Sequence, residues 1–111
     1  MAAISNLYVD AGSNFSAIVT VRGSDGNPIN LTNYTVASQI RKSYGSTTAY
    51  SFNATIFEAV QGKVRVQLSA TQSGGIKPGR YLYDIEVTAP GGEKTRVVEG
   101  IVLITPEITK I

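Results

Sequence analysis

The residues of this chain best placed for chemistry are Asp84 and Glu86, two carboxylates separated by a single position. Paired acids that face one another are what glycosidic-bond hydrolysis requires, one as proton donor and one as nucleophile or base. Residues two apart on a β-strand share a face, and Tyr81-Leu82-Tyr83-Asp84-Ile85-Glu86-Val87-Thr88 alternates in that way. The wet face of any half-buried strand gives the same pattern. Catalysis would need acids that are buried and shifted in pKa, so a solvated outer face is the expected reading. Arg41 falls on the polar face of a neighbouring strand and is expected to pair with Asp84. Exposed pairs of that kind contribute ~1 kcal/mol or less. Asp10, Asp25, Glu58, Glu93, Glu99 and Glu107 complete the set of carboxylates.

Other chemistries lack their residues. The 111 residues contain no cysteine and no histidine. Disulfides and thiolate metal sites are therefore excluded, and the commonest base near neutral pH is missing. Asp25-Gly26-Asn27 matches a fragment of a calcium loop, but the rest of the twelve-residue ligand pattern is absent. Turn chemistry accounts for it, because Asp, Gly and Asn each suit tight turns. Asn14, Asn30, Asn33 and Asn53 each begin a glycosylation acceptor triplet, a short pattern that a chain rich in Asn, Ser and Thr meets by chance. The ten Lys and Arg residues are scattered, only Arg41 and Lys42 are adjacent, and the net charge is +2. That is not the clustered face of a nucleic-acid binder. No apolar run approaches the ~20 residues that span a membrane, and Met1-Ala2-Ala3-Ile4-Ser5 lacks the basic start and apolar core of a signal peptide. No enzyme activity, cofactor, metal, nucleic acid or membrane partner is expected.

The elements that position these residues read as strands. Strands are expected over Ile4–Val9, Phe15–Arg22, Tyr34–Lys42, Ala49–Phe57, Val64–Leu68, Tyr81–Ala89 and Thr95–Ile104, with period-two alternation in the middle five and a consecutive apolar run, Ile101–Ile104, in the last, separated by turn formers such as Asp25-Gly26 and Pro90-Gly91-Gly92. Ser69–Ser73 breaks the alternation and predicts one helical turn, capped by Ser69 and closed by Gly74-Gly75. Turn signals every 8–12 residues or so indicate a sandwich or barrel. The fold class expected is all-β, an Ig-like antiparallel β-sandwich of about seven or eight short strands with at most one short helical turn. Residues 1–111 form a single domain by size. Phe15, Val19, Val36, Ile40, Phe52, Ile56, Val64, Val66, Leu68, Tyr81, Tyr83 and Ile85 are expected in the core. Tyr8 and Tyr44 are free to serve as surface contacts.

Several short segments follow one another in a definite order. An Asp-Gly turn is followed by Asn30-Leu31-Thr32-Asn33-Tyr34 and Gln39-Ile40-Arg41. Gly62-Lys63-Val64, Leu68-Ser69, Pro78-Gly79-Arg80-Tyr81-Leu82-Tyr83-Asp84-Ile85 and Val98-Glu99-Gly100 come later. From about Phe15 to Ile104 the layout resembles small β-sandwich virion structural proteins of contractile-tailed bacteriophages of marine cyanobacteria. It is also similar to the N-terminal domain of phage baseplate upper proteins. The resemblance implies a non-enzymatic architectural role in a particle, as a capsid decoration or a tail-, neck- or baseplate-associated building block. The protein would be made in the host cytoplasm and end in the virion.

The implied partners are other virion proteins and further copies of the chain. Short terminal segments are the expected contacts, since chain ends often supply sheet edges with unpaired backbone groups. Ile4, Leu7 and Tyr8 in the first strand, Ile101 and Leu103 in the last, and Ile108 and Ile111 beyond it are the expected interface residues. The alternative is recognition of host-surface glycans. A shallow groove with exposed aromatics and converging polar groups would favour it, whereas apolar patches at strand edges would favour assembly.

Overall fold

The computed structural model describes residues 3–23 and 25–106. Among them are nine strands and one short helix: β1 (Ala3–Ile4), β2 (Leu7–Asp10), β3 (Phe15–Thr20), β4 (Thr35–Arg41), β5 (Ala49–Ser51), β6 (Asn53–Glu58), β7 (Lys63–Leu68), α1 (Ala70–Gly74), β8 (Gly79–Thr88) and β9 (Lys94–Thr105). The larger sheet has the order β1-β9-β8-β4-β5, with β2 also on β9, and the smaller has the order β3-β7-β6. The all-β sandwich expected from the alternation is the fold observed. Its ladders are antiparallel except where β1 and β2 join β9 in parallel.

The strand count exceeds the expectation because two runs, each read as one strand, are divided. The run at 49–57 changes sheets. β5 pairs with β4 and β6 pairs with β7, and Phe52 sits at the crossing with its N–H donating to the Ser38 carbonyl at 3.1 Å. Phe52 is buried there, with its ring centroid 5.9 Å from that of Phe15 and 6.0 Å from that of Tyr83. The first run breaks at Ser5-Asn6. The Asn6 Oδ1 accepts the Ile101 N–H at 3.1 Å, and the Tyr83 hydroxyl donates to the Ser5 carbonyl at 2.6 Å. Tyr83 lies opposite Gly100, and a Cβ on Gly100 would overlap the Ser5 carbonyl. A glycine at that position is therefore what lets the N-terminal strand close on the sheet.

The helical turn follows its sequence signature. The Gln72 N–H donates to Ser69 Oγ and the Ser69 N–H donates to Gln72 Oε1, a reciprocal capping box, and Gly75 caps the end. Buried Ser73 donates to the Ser13 carbonyl at 2.7 Å and accepts the Gly12 N–H at 3.0 Å, which ties the helix to the β2–β3 turn.

Eight of the twelve expected core residues are fully buried, among them Phe52, Val66 and Ile85. Phe15, Val19, Val36 and Ile56 are only partly buried, packed against that core. Three of these four lie on β3 or β6, the edge strands of a three-stranded sheet, where solvent reaches the inner face from the side. Leu31 and Ile76, isolated in loops, are fully buried, and so are Val98, Val102 and Ile104 on β9. A second glycine is required where the loops meet. Gly62 has φ +67, and a Cβ on it would stand 2.7 Å from the carbonyl oxygens of Val21 and Ile29. Its own carbonyl accepts the Val21 N–H at 2.7 Å.

Candidate functional site

The pairing register assembles the outward side chains of the larger sheet into rows. Tyr8 pairs with Leu103, which pairs with Arg80. Ile101 pairs with Leu82, which pairs with Arg41. Ile4 pairs with Glu99, which pairs with Asp84 and then Gln39. Four of the expected interface residues thus share one face. Ile4 is 78% exposed, Tyr8 70% and Leu103 37%, while Ile101 between them is half-buried. They form an apolar strip along the β1/β2 side of the sheet.

Leu7 does not belong to this strip. It alternates with Tyr8, pairs with Val102 and packs into the core, so its side chain is unavailable to a partner. The last strand is not a sheet edge either. β9 is flanked by β8 on one side and by β1 and β2 on the other, so among the described residues the edges of this sheet are β1 and β2 on one side and β5 on the other. Ile108 and Ile111 lie outside the described residues.

Beside the strip, over β8 and β4, lies an open groove of about 410 Å³. Leu82 lies in its floor, the loop residues Ser43 and Tyr44 form a rim, and Gln39, Asp84, Glu86 and Arg96 line it. Tyr44 is 77% exposed. The expected Arg41–Asp84 pair does not form, because the register sets Arg41 against Leu82 and Gln39 against Asp84. The Arg41 guanidinium instead donates to the Ser46 carbonyl at 2.6 Å and to Gln39 Oε1 at 3.0 Å, which fixes the rim loop. Asp84 is engaged by Arg96, whose Nε donates to Oδ2 at 3.1 Å and whose Nη1 donates to Glu99 Oε2 at 3.3 Å.

Arg96 reaches this face through a bulge. Ile85 pairs with Val98 but Glu86 pairs with Arg96, so Val97 is the extra residue on β9. In an unbroken strand, residues 96 and 99 would point to opposite faces. Strict alternation therefore hides Arg96, and the consecutive valines at 97 and 98 are the one sequence signal of the break. Partial burial and the neighbouring Glu86 hold the Asp84 carboxyl above its ordinary range, and Arg96 opposes them. In chemical terms the groove offers carboxylates, cations and an amide within one shallow concavity. The acid pair foreseen at 84 and 86 has one member committed to a guanidinium.

The two buried tyrosines, Tyr81 and Tyr83, are packed rings with tethered hydroxyls. Besides Tyr83, the Tyr81 hydroxyl donates to the Lys77 carbonyl at 2.6 Å, and its ring meets Tyr50 edge-on at 6.3 Å. Asp25 forms a turn, accepting the Asn27 N–H at 3.0 Å, which lowers its carboxyl below the usual value. Among the described residues, no cluster of acids suited to a metal ion is found, and no helix is long and apolar enough to cross a membrane.

No protein-family model matches the chain, and no curated protein matches it. Among solved structures, it is similar to a family 123 glycoside hydrolase from Clostridium perfringens, described in connection with glycolipid glycan hydrolysis. The TM-score is 0.44 at 12% identity, over 98% of this chain and 24% of that one. This chain thus spans about a quarter of that enzyme's length, and a likeness of this size says nothing of activity.

Proposed function

We propose that this chain is a non-enzymatic virion structural protein that acts by protein–protein assembly. The resemblance to small β-sandwich proteins of contractile-tailed bacteriophages supplies the setting, on the capsid or in the tail, neck or baseplate. The observation that carries the assembly role is the outward strip of Ile4, Tyr8, Ile101 and Leu103. Apolar side chains gathered on the outer face beside an edge strand are the surface that subunit packing covers. Partners of matching chemistry are other virion proteins or a second copy of the chain. The test is mass spectrometry of purified particles, followed by incorporation of a Leu103→Asp variant. Peptides of this chain at a fixed stoichiometry, with the variant depleted, are expected. Absence from particles, or normal incorporation of the variant, would remove the reading.

A further inference from the structure

We infer that the groove over β8 and β4 is a saccharide-binding site, separate in space from the apolar strip. Its charge balance favours a neutral polar ligand. Asp84, Glu86 and Glu99 face Arg41, Lys94 and Arg96, so the lining is neutral overall. A charged ligand would meet repulsion from one half of the set. A sugar hydroxyl both donates and accepts, and it finds carboxylate acceptors and cationic donors side by side. Availability of polar groups points the same way. Arg96 is committed to Asp84 and Glu99, and Arg41 to the rim loop, whereas Glu86 and Lys94 make no side-chain hydrogen bond among the described residues. The paired groups hold the floor in place, and the unpaired ones are free for a ligand.

The shape of the groove suits a sugar as well. Tyr44 presents an exposed ring at the rim, on a loop anchored by the Arg41 bond to Ser46, and Leu82 supplies an apolar patch in the floor. A pyranose has one apolar face and a polar rim, which matches an aromatic wall beside convergent polar groups. A groove of about 410 Å³ holds a short oligosaccharide and leaves it partly open to solvent. The elevated Asp84 pKa agrees with a carboxylate already partly withdrawn from water.

The experiment is a titration of the ¹⁵N-labelled full chain with maltotriose, lactose and chitotriose, followed by amide chemical shifts. Saturable shifts at Gln39, Tyr44, Leu82, Glu86 and Lys94 are expected with at least one of the three sugars. Tyr44→Ala should weaken that binding about tenfold. Glu86→Gln should weaken it as well, and Tyr8→Ser, on the strip, should leave it unchanged. The inference falls if none of the sugars gives saturable shifts by about 10 mM, if the shifts map to another face, or if Tyr44→Ala binds like the parent. It also falls if these amides respond only to other particle proteins, which would make the groove a subunit contact. Because Tyr8→Ser separates the two surfaces, failure here leaves the assembly reading standing, and the converse.

Discussion

Tyr83 closes a gap that no backbone group can fill. Its hydroxyl crosses the space above Gly100 to satisfy the Ser5 carbonyl, a partner 78 positions away in the chain. Tyr83→Phe keeps the ring and strands that carbonyl, which should lower unfolding stability by about 1–3 kcal/mol in urea titrations at neutral pH. The phenol also sets a pH dependence. Burial raises its pKa above the ordinary value of 10.0. A group whose folded pKa is raised stabilises fully below its unfolded pKa, and that contribution is lost as pH climbs through the folded one. The gap between parent and Tyr83→Phe should therefore narrow above about pH 10, because the phenylalanine variant has no such proton to lose. The inward aim of Tyr83 was legible from alternation. Its acceptor was not, since nothing local to residue 83 points to residue 5.

At the scale of elements, the informative places are those where strand pairing changes. The period-two run through Tyr50, Phe52, Ala54 and Ile56 gives no sign that the strand passes from one sheet to the other at Phe52. Its burial was legible, however, and Phe52→Ala should cost about 3–5 kcal/mol, read from a denaturation midpoint. The parallel docking of β1 and β2 on β9 was not legible, because hairpin logic favours antiparallel neighbours. It depends on Gly100, and Gly100→Ala should cost about 1–3 kcal/mol through the enforced overlap with the Ser5 carbonyl. The Val97 bulge is the third such place. It brings Arg96 to the two carboxylates that alternation alone would set on the opposite face. Arg96→Ala should push the Asp84 pKa higher still, since Arg96 is the main influence holding it down against burial and Glu86. An acid with a raised folded pKa favours the fold at low pH and opposes it as pH rises through that pKa. The variant should thus show its deficit at neutral pH and recover it on acidification toward about pH 3.9, with the Asp84 titration followed directly by NMR.

At the scale of the whole molecule, the two faces of the larger sheet separate what folds the chain from what the chain presents. Leu7, Val9, Val102 and Ile104 point inward and hold β2 and β9 to the core. Tyr8 and Leu103, one position out of phase, lie on the outer face, 70% and 37% exposed. That phase difference separates stability from assembly. A Tyr8→Ser/Leu103→Ser double variant removes apolar area that is mostly wet at Tyr8 and partly wet at Leu103, so the isolated chain should unfold within about 1 kcal/mol of the parent, close to what surface substitutions cost. The same variant should enter particles poorly and show a lower association state in sedimentation experiments, because the area it loses is the area a partner would cover. A Leu7→Ser variant should do the reverse at the level of mechanism, losing stability first and incorporation only as a consequence. If the double variant unfolds much more easily than the parent, the strip is packed within the chain itself and is not a free surface. If its stability and its incorporation are both unchanged, the contact with neighbours must be sought on another face of the sandwich.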